Sequence, residues 1–597
     1  MNALSNTTIV EQVLPAYDPQ GGIQLSTTIS LYNPSTVSLH LGDMSLALQT
    51  GQSTIGQVFT KDFTMRPGQN LMRLDGILGC CDDGQCDTWE HTAGRRHCNA
   101  TERADLGRFF SDFISGRAAV TTSKGLMVRH PSGNPTVSWV EEIVKSMTTT
   151  VTFVNPNPLS PVQDMRITDM AINMSPSLGW SPISTTTATA AFSLPPDCGF
   201  HVAMTGLRQR LAMYAENGDH LADLVPPHPD AFDEVTMSNN TFSVQIKDST
   251  LQIPEASRAS FSTFVAATMS DRYVPVTIRG DADSRVVFGG GIGELVIPNV
   301  ALNEKLMLDG LDDFKTIPTT VGPLRIFKGE KDFLYFNSTT TMYNPGAVNV
   351  YIRDSPITYD IVFKDINVGG ARIENMTILS GYNTLPLLGW VHSEKPGEDD
   401  ATVEAKREFL SGYTMGTICL LSFRCIYTSS LNYFFFPTKG IDLPIVIRGH
   451  QGSTDIPPLQ AAMSRMMLDT EAKGIPPTLI RRLDFWPTRP PTVYTTLHNP
   501  LGVSMDLSGF DSYVRFNDPS RGVVEMTHLK DDVLRVHIEP QQSQRAAMAA
   551  EWPSKANTTL GRVNITATSN VLLDGQFAGT VYYAQNNVRI RKMGLPI

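Results

Sequence analysis

Ile23-Gln24-Leu25-Ser26-Thr27-Thr28-Ile29-Ser30-Leu31-Tyr32-Asn33-Pro34-Ser35-Thr36-Val37-Ser38-Leu39-His40-Leu41 is the stretch that decides the fold. Ile23, Leu25, Thr27, Ile29 and Leu31 occupy alternate positions, the chain turns at Asn33-Pro34, and Val37, Leu39 and Leu41 resume the alternation. A period of two puts one face of each extended segment toward a core and the other toward solvent. Proline has no N–H for a sheet ladder and disfavours the helical region for the residue before it. The Asn carboxamide, in turn, can bond the backbone of the turn it opens. The stretch therefore reads as strand, turn, strand.

The same unit recurs three times. Met147, Thr149, Val151 and Phe153 lead into Asn155-Pro156, with Met165 and Ile167 beyond it; a Thr-rich segment leads into Asn344-Pro345; and Val493, Thr495 and Leu497 lead into Asn499-Pro500, followed by Val503, Met505 and Leu507. Pro67-Gly68-Gln69-Asn70 places Asn70 37 residues past Asn33, and Ser380-Gly381-Tyr382-Asn383 places Asn383 39 past Asn344. Later in each copy comes a short amphipathic segment: Leu106, Phe109, Phe110, Phe113 and Ile114 follow helical spacing, and related segments lie at Phe261–Ala266 and Glu408–Gly412. A closing strand follows, Val274-Pro275-Val276-Thr277-Ile278-Arg279-Gly280 in one copy and Leu443-Pro444-Ile445-Val446-Ile447-Arg448-Gly449 in another. Repetition at this length predicts a tandem array of mainly β modules, each a sandwich with one or two short helices.

With 597 residues and 41% hydrophobic content, the chain is too long for a single core. Gly, Asp, Ser and Pro collect after each closing strand, which predicts four domains at 1–132, 133–283, 284–453 and 454–597. A net charge of −11 and the lack of any Lys/Arg stripe argue against a nucleic-acid partner. The most apolar stretch, Ile418 to Phe436, is interrupted by Arg424 and polar residues, so no transmembrane helix is expected. Met1 to Tyr17 lacks the regions of a signal peptide and the first strand begins close behind it, so an upstream segment is expected to be missing.

Cys80, Cys81, Cys86 and Cys98 cluster in one polar loop, and Cys419 and Cys425 lie six apart. Disulfides in an oxidising compartment are the leading reading; free thiols and a zinc site using His91 and His97 are the alternatives, the latter without a Cys-x-x-Cys spacing. Cys198 is left over. Asn-x-Ser/Thr sequons at Asn6, Asn99, Asn239, Asn337, Asn375, Asn557 and Asn564 are candidate N-glycosylation sites, and Pro176 makes Asn173 a poor one. Arg279-Gly280-Asp281 spells an adhesion tripeptide, but its counterpart is Arg448-Gly449-His450, so the acid is not part of the repeat. Gly289-Gly290-Gly291-Ile292-Gly293 precedes an extended segment rather than a helix and is not read as a phosphate loop. Asp309-Gly310-Leu311-Asp312-Asp313 and Asp82-Asp83-Gly84 lack the ligand spacing of a calcium loop. No catalytic motif, metal site, cofactor or small-molecule substrate is indicated.

The Asn-Pro turn between alternating strands, the later Gly and Pro-Gly-x-Asn elements and their tandem recurrence resemble the fungal DUF3712 proteins of the LEA-2 (late embryogenesis abundant type 2, WHy) superfamily. Ser26 to Gly76 and Asn337 to Gly389 carry the resemblance best, with looser copies at Met147 to Met174 and Tyr494 to Phe516. The resemblance implies immunoglobulin-like sandwiches of mostly antiparallel strands with a helix. It also implies fungal proteins anchored near the N-terminus in a membrane, often the vacuole's, with the β-domains on the lumenal or extracytoplasmic side. A non-enzymatic scaffold or regulatory array working with membrane-associated proteins is the leading expectation. Lipid binding in an apolar groove of a sandwich, with methionine supplying a pliable lining, is the alternative, and a secreted enzyme a minor one.

Overall fold

A computed structural model describes residues 7–19, 21–80, 98–130, 137–155, 162–192, 194, 198–238, 240–314, 316–415, 442–474, 478–486, 492–517, 524–549 and 562–592. The protein is mainly β, with four sheets and a few short helices among the described residues. Contacts divide it into two compact units: Met1–Ala171, Ile183–Ser260 and Pro275–Leu308 form one, and Ile172–Pro182, Phe261–Val274 and Asp309–Ile597 the other.

In the first unit the stretch that opened the sequence is one long strand, Ile23–Asn33, laddered antiparallel with Gly68–Leu78 from Ile23 opposite Leu78 to Asn33 opposite Gly68. Leu39–Thr50, Ser53–Met65 and Ala119–Arg129 continue the same sheet, joined where Ser53–Met65 pairs with Gly68–Leu78, and fold over as the other layer. Ile29, Leu31 and Met72 from one layer face Met44, Leu46 and Phe63 from the other across a small cavity, so the period-two faces meet as a sandwich. The second sheet runs from Gly293–Asp309 through Tyr273–Phe288, Val202–Ala215, His220–Val225 and Thr241–Gln252 to Ile183–Phe192 and Val162–Met174.

In the second unit the third sheet centres on Phe333–Asn344 paired along its full length with Gly381–His392. Ile366–Ile373, Ile357–Phe363, Asp442–Arg448 and Met467–Lys473 continue it. The fourth sheet runs Val524–Ile538, Met505–Asn517, Arg562–Leu573, Phe577–Lys592, Ile480–Trp486, Thr492–His498, Ser543–Ala549, with one parallel pairing between Ile480–Trp486 and Phe577–Lys592.

The three amphipathic segments are helices, Ala100–Ile114, Arg258–Ser270 and Asp400–Met415. Asn99 caps the first with a capping box: its Oδ1 accepts from Glu102 N–H while the Glu102 carboxylate accepts from Asn99 N–H. That helix buries Leu106, Phe109, Phe110 and Phe113. Phe110 stacks on Phe288 of the second sheet at 4.9 Å, so one apolar core runs through both sheets of the unit. Gly107 makes the fit: a Cβ there would stand 2.1 Å from Val296 O. Four residues on, one turn along the same face, Ser111 Oγ donates to Pro298 O. The helix Asp400–Met415 docks in the same manner on the fourth sheet, where Ser411 Oγ accepts from Tyr582 N–H at 2.9 Å.

The sheets do not end where the sequence placed the domain boundaries. Each closing strand is followed by a further strand of the same sheet: Thr148–Phe153 after Ala119–Arg129, Gly293–Asp309 after Tyr273–Phe288, and Met467–Lys473 after Asp442–Arg448. The boundary expected near Asp283 falls inside the strand Tyr273–Phe288, and the third sheet continues past 453. Ser132 lies outside the described residues, and between Asp442–Arg448 and Met467–Lys473 stands the helix Pro457–Met463, so turn-rich composition marks a connection within one sheet as readily as a linker between domains.

Candidate functional sites

The Asn-Pro turns are clamps built from side chains. Asn33 Oδ1 accepts from Ser35 N–H at 3.0 Å and its Nδ2 donates to Val37 O at 3.0 Å. Asn344 repeats this with Gly346 and Val348 at 2.9 and 2.8 Å, and Asn499 with Leu501 and Val503 at 2.9 and 2.7 Å. Asn155 is equally buried, and Pro156 lies outside the described residues. A second clamp faces the first. Asn70 Oδ1 accepts from Arg66 N–H while its Nδ2 donates to Arg66 O and Gly68 O; Asn383 makes the same three bonds with Leu379 and Gly381. These six hydrogen bonds, between 2.7 and 2.9 Å, make the first and third modules structural copies at this end.

Apolar side chains stand exposed around both clamped ends. Tyr32, Val37 and Leu71 do so in the first module, and Tyr382 and Leu379 in the third, where Tyr343 meets Tyr382 edge-on at 5.1 Å. Leu71 and Tyr382 are each about two-thirds exposed, at 66% and 69%.

Cys80 and Cys98 form a disulfide. Cys81, Cys86, Cys419 and Cys425, like Asn6, Asn239 and Asn557, lie outside the described residues. Among the described sequons, Asn99 is the helix cap, Asn337 and Asn375 are exposed and Asn564 is half-buried on a strand. Asn375 Oδ1 accepts from Asp354 N–H at 3.2 Å.

The adhesion tripeptide lies in the ladder between Val202–Ala215 and Tyr273–Phe288. Arg279 stacks over Tyr214 at 4.8 Å and Asp281 pairs with Arg210. Two residues on lies a polar cluster that sequence reading missed. The buried Asp283 carboxylate accepts from Arg208 Nε and Nη2, from Arg210 Nη1 and Nη2, and from Asn299 N–H, at 2.7 to 3.2 Å. Burial pushes its pKa up, but the arginine and backbone hydrogen bonds outweigh that and hold it at about 2. The hydrogen bond from Arg210 to Asp283 raises the arginine in turn. Nothing local marks Asp283, because its partner arginines lie about seventy residues earlier.

Ser257, His220 and Asp223 form a Ser-His-Asp chain, with His220 Nδ1 3.1 Å from Ser257 Oγ and Nε2 3.0 Å from Asp223 Oδ1. Exposure runs the wrong way for acyl transfer: Ser257 is 6% exposed, while the Asp223 side chain is 48% exposed. A nucleophile needs access and its orienting acid needs burial. The chain ties the strand His220–Val225 to the start of the helix at Arg258. Gly289 and Gly290 form a hairpin turn against which Tyr17 packs, since a Cβ on Gly289 would come 2.9 Å from the Tyr17 ring. Among the described residues no three His, Cys, Asp or Glu side chains converge as a metal site, and no helix is long and apolar enough to cross a membrane.

The interior of the first sandwich bears on lipid binding. Its cavity, lined by Met44, Met65, Met72 and Met147 among others, has a volume of about 20 Å³, and a second beside Phe109 and Phe153 about 10 Å³. Ligand sites occupy on the order of 300 Å³ or more. The methionines fill this core, and the cavity has no room for an acyl chain.

Residues 231–355 match the DUF3712 family, described as a protein of unknown function. The matched span contains the strand Phe333–Asn344 and the third Asn-Pro clamp. No curated protein matches the chain. Similar solved structures include a biofilm-associated protein BSP domain, at 8% identity over 100% of this chain and 97% of that one, with a TM-score of 0.14. A protein of unknown function from Porphyromonas gingivalis W83 is 10% identical over 52% of this chain and 99% of its own, with a TM-score of 0.12. A biofilm-associated protein B domain is 9% identical over 52% and 87%, with a TM-score of 0.11. Likenesses at these TM-scores carry no argument about fold or function.

Proposed function

We propose that the chain is a non-catalytic array of four related β-modules that holds partner proteins on the extracytoplasmic or lumenal side of a membrane, the fungal vacuole being the compartment its family resemblance favours. The observation that carries this reading is the recurrence of exposed apolar side chains around an identical clamp, Tyr32, Val37 and Leu71 in one module and Leu379 and Tyr382 in another. Apolar groups left in water at equivalent places on a rigid frame are what a contact surface requires. The Cys80–Cys98 disulfide supports an oxidising compartment. The helices that seat Ser111 and Ser411 against a neighbouring sheet within each unit supply the rigidity a scaffold needs.

Photo-crosslinking residues placed at Leu71 and at Tyr382 in intact cells test the reading. Discrete adducts with membrane-associated proteins from both sites, absent from a control at exposed Lys331, are expected. Equal labelling from the control site, or none from the clamped ends, overturns it.

A further inference from the structure

The sequon Asn337-Ser338-Thr339 sits in the middle of the strand Phe333–Asn344. In an extended chain residues two apart share a face, so Tyr335, Asn337 and Thr339 point the same way. Across the ladder, Trp390 stands opposite Tyr335, Leu388 opposite Asn337 and Pro386 opposite Thr339. Asn337, Thr339 and Pro386 are exposed. On the other side Arg325 pairs with Asn337, and Phe327, 44% exposed, lies 6.4 Å from the Tyr335 ring. Trp390 lies flat because its partner in the next strand is Gly370, where a Cβ would come 2.3 Å from the indole. The Asn337 carboxamide thus rises, without a hydrogen-bond partner among the described residues, beside a bed of exposed Pro386 and half-buried Tyr335, Leu388 and Trp390, with Lys328 over the Tyr335 ring at 5.9 Å.

We propose that Asn337 carries an N-linked glycan whose first sugars pack on this bed. Hexose rings present an apolar C–H face that matches aromatic and prolyl surfaces, while their hydroxyl and acetamido groups match Arg325 and Thr339. In the modification, Nδ2 attacks the anomeric carbon of a lipid-linked glycosyl pyrophosphate. The N–C bond forms as the C–O bond breaks, the pyrophosphate leaves with the electron pair, and the amide proton passes to the transferase's base. The exposed sequon at Asn375 lies in a bend between the strands Ile366–Ile373 and Thr377–Ile378, not within a ladder. The covering glycan would shield the exposed Phe327 and Pro386 and the half-buried rings of Tyr335 and Trp390 on this face.

The inference rests on the extracytoplasmic reading above, and its test is separable from it. The full chain is secreted from a eukaryotic host behind a supplied leader, so that occupancy reports the site and not the native compartment. Glycopeptide mapping is expected to find Asn337 occupied. Enzymatic removal of the glycan is expected to lower Tm by about 2–4 °C. Tyr335→Ser, which leaves the sequon intact, is expected to abolish that difference. An unoccupied Asn337 in the secreted protein overturns the proposal, as does a glycan-dependent Tm shift that persists unchanged in Tyr335→Ser.

Discussion

Asn344 stands directly across the ladder from Gly381, and each belongs to a clamp that fixes one end of the third sheet. Asn33 and Gly68 hold the same relationship in the first sheet. Gly68 and Gly381 adopt φ of 83° and 89°, a region that admits glycine without strain, and this lets the Asn two residues later turn its carboxamide back onto the turn. Asn344→Ala removes both clamp bonds at a fully buried position, leaving Val348 O and Gly346 N–H unpaired. A loss of about 1–3 kcal/mol is expected in denaturant unfolding. Asn344→Asp restores the acceptor only, so its midpoint is expected to stay below that of the wild type.

Gly107→Ala sets helix propensity against packing. Alanine favours the helix by about 1 kcal/mol, but its Cβ would meet Val296 O at 2.1 Å, and backbone cannot move aside as a flexible side chain can. Overpacking costs about 1–3 kcal/mol, so the variant is expected to be less stable and to lose protection from proteolysis around Ala100–Ile114. A stabilised Gly107→Ala would show that helix and strand are not held together there.

Asp283 predicts a specific pH response. Its folded pKa lies below the ordinary carboxylate value of 3.8, so its ionised form stabilises the fold fully above that value, and this contribution disappears as pH falls toward 2. Asp283→Asn is expected to lose on the order of 1–2 kcal/mol at neutral pH, after allowing for screening around the part-exposed arginines. The gap between wild type and variant is expected to close between about pH 4 and pH 2. Thermal unfolding of both proteins across that range decides it; a gap independent of pH would mean the carboxylate charge is not what Arg208 and Arg210 stabilise.

The Cys80–Cys98 bridge, at a sequence separation of 18, restricts the unfolded chain. Replacing both cysteines by serine is expected to cost about 2–4 kcal/mol. Differential alkylation of the purified protein, with peptides read by mass, is expected to find Cys80 and Cys98 protected until reduction. Free thiols at both positions would remove the structural support for an oxidising compartment.

Much of the fold was legible because its signals are local. Alternation in Ile23–Leu31 dictates a strand whose inner face is Ile23, Leu25, Ile29 and Leu31, all buried. The 3.6-residue spacing of Leu106, Phe109, Phe110 and Phe113 dictates a helix, and those four side chains are its buried face. The Asn-Pro pairs marked equivalent turns, since proline and Asn act on their own backbone. The candidate surfaces were less legible: alternation turns Tyr32 to the solvent face, but nothing local sets it beside Leu71, which comes from the next strand of the ladder.

Sequence alone therefore determined the kind of element at each place and the fact that modules repeat, because those depend on residues within a few positions of one another. Tertiary structure alone decided where each module ends, since the strands Thr148–Phe153, Gly293–Asp309 and Met467–Lys473 join the preceding sheet through ladder bonds that no composition records. It alone brought Arg208 and Arg210 to Asp283, and the bed of Leu388 and Trp390 to Asn337. Those meetings depend on strand register across long separations, and a slip of one residue would turn every one of these side chains to the opposite face.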